Sequence, residues 1–398
     1  MSYSVKAEFH KAKEVLVHEP GEEFFHSLMH FETSDFLRPF DRHMAVREHR
    51  AFVDTMESFE VKVHHLRDLL LEDCVDEEGI RVEGSGLDSL QETAAFCLQY
   101  YYDAGLSDIE KEALNHHKEE TIRKLHPTDL VRILIERPTN KFKRKGNNVV
   151  SSIKYVPQGN LCFCRDPQIV TDKGIVIGKH KNPSRQYETE ILKFAYEKAG
   201  IRPIYEVKGD VSLEGGDYLP AGDFALVGEG LRTTKGAIDQ LLDNHVFGFK
   251  EVVVVEDPFK DMNQMHLDTY FNIVGEKKAV ILDERRKQDM RPKIRVYELD
   301  RDGHYTLQER MNRDFIEFLS LEKGYELIDI QYNKEKNFSV NMVCMGNNKI
   351  IGVDGVCKDY YGTLLENGLD ARLLDFSNLM MAYGGPHCLT QVLSRQEA

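Results

Sequence analysis

The chain has 398 residues, 41% of them hydrophobic and 30% charged, a balance too apolar for disorder and too polar for a membrane protein. Its 28 glycines and 12 prolines exclude collagen-like and low-complexity chains. Lysine plus arginine total 52 against 67 aspartates and glutamates, and the net charge of −15 repels phosphate backbones and anionic lipid, so no nucleic acid and no membrane is expected as a partner.

In chain order, a short strand is expected at Glu14-Val-Leu-Val-His18, followed by the turn Glu19-Pro20-Gly21. Met44 to Glu57 has helical spacing, and Val61-Lys-Val-His64 alternates like a strand. Met1 to Phe25 lacks the apolar stretch of a signal peptide. No window reaches the ~18 consecutive apolar residues of a membrane span. Seven cysteines, odd in number and irregularly spaced, fit reduced thiols better than a disulfide framework. A cytoplasmic location is therefore expected.

From residue 66 to 140 the character changes to a helical insert. Thr93 to Tyr102, Glu110 to Leu125 and Thr128 to Glu136 read as helices, the last with Pro127 as its start signal. Almost no strand signal is present there. Lys141-Phe-Lys-Arg-Lys145 reads as a solvated basic loop, and Gly84-Ser-Gly86 as a linker.

The remainder is repetitive. Asp166 to Ile177, Asp217 to Val227, Asp268 to Ile281 and Asn341 to Val353 share one outline: a polar residue, a strand, a turn with Gly, Asp or Asn, and a second apolar strand. Helical segments such as Tyr187 to Ala199 and Thr234 to Asn244 follow, then strands such as Glu251 to Val255. Radial repetition would bring equivalent positions together at a centre. An ordinary α/β sheet with frequent hairpins is the competing reading. The chain is taken as one catalytic domain, 1–398, with the helical insert inside it.

Three units place a carboxylate at the start of the hairpin: Asp166, Glu214 (or Asp217) and Asp268. His266 stands two before Asp268, on the same face if both lie on a strand. Cys388 ends the series in Gly384-Gly-Pro-His-Cys388. Converging carboxylates, one histidine and one cysteine point to thiol attack on a cationic carbon. A guanidinium offers planar N–H donors that carboxylates hold through charge-assisted hydrogen bonds. Its charge lowers the pKa of a nearby thiol, and a histidine handles protons for the leaving amine and for water. Cys162 and Cys164 have no histidine at ligand spacing, and His64-His65 point to opposite strand faces, so no metal is assigned.

These motifs resemble those of arginine deiminase, in the guanidino-group modifying superfamily. The resemblance rests on Asn160-Leu-Cys-Phe-Cys-Arg-Asp-Pro167, Leu213-Glu-Gly-Gly-Asp217, Gly230-Leu-Arg-Thr233, Met265-His-Leu-Asp-Thr269 and Gly384-Gly-Pro-His-Cys388. Val15-Leu-Val-His-Glu-Pro-Gly21 and Arg185-Gln-Tyr-Glu-Thr189 extend it over nearly the whole chain.

The resemblance implies a five-fold pseudosymmetric α/β propeller with a helical insert, and hydrolysis of L-arginine to L-citrulline and ammonia without a cofactor. It implies Cys388 as nucleophile, His266 as general acid and base, Asp166 and Asp268 as the guanidinium clamp, and Glu214 as support for His266 on the far side of the guanidine. Asn160, Arg185 and Arg232 are implied as contacts to the substrate's α-carboxylate, with Phe163 packing on its aliphatic stem. A homo-oligomer is compatible with all of this.

Four positions depart from the family pattern: His387 for an arginine, Ala382-Tyr383 where a further arginine is frequent, Phe40-Asp41-Arg42 for Phe-Asp-Asp, and Cys164 for a threonine. They are expected around the entrance. Two competing functions follow. One is deimination of, or amidino transfer from, another guanidino compound; the other is a non-catalytic arginine sensor.

Overall fold

Each of the four hairpins read from the sequence forms in the computed structural model, which describes residues 3–30, 34–308, 313–334 and 338–397. Gln168–Val170 pairs antiparallel with Ile175–Ile177, Tyr218–Pro220 with Phe224–Glu229, Phe271–Gly275 with Lys278–Leu282, and Val343–Gly346 with Lys349–Val353. Asn347 and Asn348 both turn with positive φ (54° and 59°), the backbone that asparagine tolerates in a two-residue hairpin loop.

The second strand of each hairpin then pairs in parallel with a third: Tyr205–Glu206, Glu251–Glu256, Glu326–Ile330 and Asp370–Leu374. A parallel return needs a crossover. The helices Gln186–Lys198, Lys235–Asp243 and Tyr360–Glu366 supply three of them. One more unit, counted as the first so that the four hairpins above belong to the second to fifth, joins the two ends of the chain. Gln391–Gln396 runs antiparallel to Lys11–Val17, which pairs in parallel with Lys62–His65 after the helix Arg42–Ser58. Because 373 residues separate the two halves of this hairpin in sequence, periodicity along the chain does not reveal it.

The pairing yields separate open sheets in a mixed α/β fold, and no sheet closes on itself among the described residues. The third unit is the largest. Val252 to Val255 are fully buried between Phe224–Glu229 and the antiparallel strand Lys293–Leu299, which is why they form an unbroken apolar run.

The 66–140 segment differs from expectation in its strands. Helices Leu66–Leu71, Ser85–Cys97, Asp108–Lys124 and Pro127–Glu136 are present, but Gln99–Tyr102 is a strand rather than the end of a helix. It pairs with Thr139–Lys145, which contains the basic run read as a loop, and that strand forms a hairpin with Asn148–Lys154. Three tyrosines in succession, Tyr100 to Tyr102, favour a strand once a partner edge exists, and this tertiary pairing overrides the helical spacing. Gly84 is the N-cap of Ser85–Cys97 rather than part of a linker.

Glu8, fully enclosed, ties the unit formed by the chain ends to the start of the second unit. Its carboxylate receives Arg395 Nη2 at 2.6 Å and Arg165 Nη1 at 3.3 Å. Burial opposes its charge, but the two guanidinium groups outweigh burial and hold the carboxyl well below the usual range. Glu8→Ala leaves two arginines without their anion and is expected to destabilise the protein by about 3–5 kcal/mol. Guanidinium-chloride unfolding checks this; an unchanged midpoint contradicts it.

Candidate active site

Short one-turn helices sit just before the first strand of several units, and they carry the chemistry. Gly159–Cys162, Gly215–Asp217 and Leu267–Thr269 are 3₁₀ turns, and Pro386–Leu389 is one α-turn. His266 and Asp268 therefore do not share a strand face as the alternation argument had them. His266 is the residue capping the turn Leu267–Thr269, and Thr269 Oγ1 donates to the His266 carbonyl at 2.5 Å. The turn, not strand alternation, presents both side chains inward.

Asn160, Phe163, Asp166, Arg185, His266 and Cys388 line one narrow pocket, together with Asp35, Met262, Phe338 and Tyr383. Three other expected residues lie directly behind its wall. Asp268 Oδ2 is 3.9 Å from Cys388 Sγ. Glu214 Oε2 accepts from His266 Nε2 at 2.9 Å. Arg232 Nη2 donates to Asp35 Oδ2 at 3.2 Å, and its Nη1 lies 3.8 Å from Glu214 Oε1. The alternative between Glu214 and Asp217 is thereby divided: Glu214 holds the imidazole, whereas Asp217 Oδ1 accepts the Leu267 N–H at 2.9 Å and holds the turn.

Glycine makes two close approaches possible. A Cβ on Gly216 would lie 2.7 Å from His266 Nδ1 and 2.9 Å from Asp268 Oδ1, and one on Gly384 would lie 2.2 Å from the Phe163 ring. Neither position accepts a side chain without moving the site.

Burial disfavours a charged His266, but Asp166, with Oδ1 3.9 Å from Nδ1, and Glu214 outweigh it and push the imidazolium up to about 9. At neutral pH the ring is thus a proton donor. Burial likewise opposes Glu214, yet His180 and His266 hold it well below the ordinary carboxylate range. Cys388 goes the other way. Burial, then the charges of Asp268 and Asp166, push the thiol well above its usual value, so the resting group is S–H. Asp166 Oδ1 and Asp268 Oδ1, both buried, have no hydrogen-bond partner among the described residues.

Several contributors escaped the sequence reading. Asn341 Oδ1 accepts the Cys388 N–H at 3.2 Å while its Nδ2 donates to the Asp268 carbonyl at 3.1 Å, locking the two turns together. Its place at the start of the fifth hairpin was the available signal. Asp35 accepts from Arg232 and from Asn182 Nδ2 at 2.9 Å, and its own N–H donates to Asn160 Oδ1 at 3.0 Å; nothing local marked this loop acid.

Of the four departures expected at the entrance, only Tyr383 lines the pocket, donating its hydroxyl to the Met262 carbonyl. His387 lies fully buried beneath, its Nδ1 donating to Asp268 Oδ2 at 2.7 Å. Asp41 caps the helix Arg42–Ser58, Arg42 pairs with Glu22 at 2.5 Å, and Cys164 is buried with its thiol toward the Leu161 carbonyl. Helix capping, an ion pair and core packing, rather than the entrance, account for Asp41, Arg42 and Cys164 in turn.

A sequence model described as arginine deiminase matches residues 36–395. The arginine deiminase of Halobacterium salinarum is 25% identical over 98% of this chain and 96% of its own. That of Listeria welshimeri is 26% identical over 99% of this chain and 98% of its own. Among solved structures, the N-terminal domain of ArgZ, an arginine dihydrolase from the ornithine-ammonia cycle in cyanobacteria, superposes with TM-score 0.56 at 15% identity, covering 96% of this chain and 98% of that one. Dimethylarginine dimethylaminohydrolase from Pseudomonas aeruginosa, complexed with citrulline, superposes with TM-score 0.53 at 13% identity, covering 97% and 100%. These two likenesses establish the mixed α/β fold.

With its thiol held protonated, Cys388 in the free protein should react with iodoacetamide at pH 7 at least about tenfold more slowly than an ordinary thiol of pKa ~8.5. Peptide mass spectrometry over time checks this, and alkylation as fast as that of free cysteine contradicts it.

Proposed function

Because the chain belongs to the arginine deiminase family, we propose that it hydrolyses L-arginine to L-citrulline and ammonia through a covalent adduct on Cys388. One observation carries the reading: the buried carboxylates of Asp166 and Asp268, each with one oxygen that lacks a hydrogen-bond partner among the described residues, stand beside the imidazole of His266 and the thiol of Cys388. A buried carboxylate oxygen without a hydrogen bond costs free energy that a guanidinium N–H recovers.

As the substrate binds, its positive charge lowers the thiol pKa and Cys388 releases its proton to solvent. The thiolate attacks the central guanidinium carbon, forming a C–S bond. The C–N bond to a terminal nitrogen breaks, and His266 gives that nitrogen the proton with which it leaves as ammonia. A thiouronium cation remains on the sulfur. His266, now neutral, takes a proton from water as the oxygen attacks the same carbon. The C–S bond then breaks, citrulline departs and the sulfur is reprotonated.

Glu214 keeps the His266 ring oriented and charged. Arg185, Arg232 and Asn160 are the proposed contacts to the α-carboxylate, and Phe163 the wall along the aliphatic stem. In this state Arg185 Nη1 donates to Asp166 Oδ2 at 2.8 Å and Arg232 holds Asp35, so both guanidinium groups already face carboxylates within or against the pocket.

The proposed architecture is a radial arrangement of the five units as one domain, with the insert outside the ring. Contacts from each unit to the next support it. The chain-end unit touches the second through Gln391–Gln396 and Gln168–Val170, and the fifth through Lys11–Val17 and Val343–Gly346. Lys179 and Leu213 bridge the second and third units, Tyr218–Pro220 meets Leu267–Thr269 of the fourth, and Phe271–Gly275 meets Val343–Gly346 of the fifth. No described helix is long and apolar enough to cross a membrane.

Incubation with L-arginine alone should give citrulline and ammonia in equal amounts. Cys388→Ser should abolish turnover while arginine still binds by calorimetry. Arginine binding without turnover by the unaltered protein would favour the sensor reading, and product only after an amine is added would favour amidino transfer. Arg232→Ala should weaken arginine binding by about 1–3 kcal/mol from lost charged hydrogen bonds. Agmatine, which has no carboxylate, should bind correspondingly worse; equal affinity for the two compounds contradicts the assignment.

A further inference from the structure

His180 was not singled out by any motif, yet its imidazole is completely buried between two of the site's acids. Its Nε2 lies 3.2 Å from Glu188 Oε2 and its Nδ1 3.7 Å from Glu214 Oε1. The antiparallel bridge between Lys179 and Leu213 ties the second unit to the third beside both residues.

Both acids lead directly into the pocket. Glu214 accepts from His266 Nε2 at 2.9 Å. Glu188 takes Arg185 through two parallel bonds, Nε to Oε1 at 2.9 Å and Nη2 to Oε2 at 2.8 Å. Arg185 continues to Asp166 at 2.8 Å, and Asp166 Oδ1 returns to His266 Nδ1 at 3.9 Å. The six side chains form a closed buried ring in which cation and anion alternate: His266, Glu214, His180, Glu188, Arg185, Asp166.

We infer that His180 is a positioning residue: as an imidazolium wedged between Glu214 and Glu188, it fixes the carboxylate that orients His266 and the carboxylate that orients Arg185, coupling the proton-transfer group to the substrate-recognition group. The inference deepens the reading of the site given above and rests on it for the roles of His266 and Arg185. Two carboxylates buried side by side repel each other, and a cation between them removes that cost. The groups that bear on the His180 charge are Glu188 and Glu214, which favour it, and burial and Arg185, which oppose it; the acids prevail and the imidazole is raised above its ordinary value. Lys181 adds its backbone N–H to Glu214 Oε1 at 2.9 Å, and Arg232 Nη1 stands 3.8 Å from the same oxygen, so Glu214 stays anionic when His180 is replaced. Loss of the neighbouring cation then eases protonation of His266.

The test compares His180→Leu, His180→Gln and His180→Lys with the unaltered protein by two readouts. The first is the titration midpoint of His266 in the free protein, followed by NMR of ¹³C-labelled histidine and assigned with His266→Gln. The second is kcat and KM for L-arginine. His180→Leu and His180→Gln should raise the midpoint by roughly half a pH unit or more. They should lower kcat/KM at least about tenfold with a rise in KM, whereas His180→Lys, which keeps a cation, should restore both readouts to within a few-fold.

An unmoved His266 midpoint in the folded neutral variants overturns the inference. So does equal impairment of the lysine and leucine variants, which would mark simple packing. If His180→Leu fails to fold, the Gln and Lys pair decides by the same criteria. The NMR readout needs no turnover, so failure of the unaltered protein to make citrulline refutes the proposed reaction without deciding the role of His180.

Discussion

Removing a carboxylate from water costs several kcal/mol unless a cation and hydrogen bonds replace the lost hydration. Around this pocket the chain buries Asp166, Glu188, Glu214 and Asp268, among others, and sets a nitrogen donor against each of these four. Arg185 serves Asp166 and Glu188, His180 stands between Glu188 and Glu214, His266 holds Glu214, and His387 holds Asp268. Much of the site's character follows from this pairing of buried groups. It fixes side-chain positions, since a buried ion cannot leave its partner cheaply. It also raises His266 and depresses Glu214, because each partner favours the other's charged form.

The thiol is the exception. Cys388 is buried and has two carboxylates near it, so it rests protonated. The proposed substrate brings a positive charge to the sulfur. On the proposed mechanism chemistry is tied to occupancy: the group that attacks becomes nucleophilic when the group it attacks arrives. Asn341 adds the geometric part by bonding the Cys388 turn to the Asp268 turn. The outer network of Glu8, Arg165 and Arg395 braces the same turns from behind, reaching His387 at 3.7 Å.

Much of this was legible in the residues. Apolar alternation around Gly, Asp and Asn turns located four hairpins, and the shared register of Asp166, Glu214 and Asp268 marked a common centre. What stayed hidden depended on long-range pairing. The chain-end hairpin and the strand Gln99–Tyr102 exist only because a distant edge is available. His180, Asp35 and Asn341 acquire their roles from neighbours in other units, and a sequence offers no spacing rule for contacts of that kind. His387 was noticed as a departure from the pattern but assigned to the entrance; the partner that explains it, Asp268, is 119 residues away.

The most direct test of the central claim is acid-quenched mass spectrometry of the protein during turnover of L-arginine. The account predicts a mass gain equal to arginine less ammonia, confined to the peptide containing Cys388 and lost once substrate is exhausted. Citrulline formation with no adduct on that peptide, or a gain of the amidino group alone with release of ornithine, would contradict it.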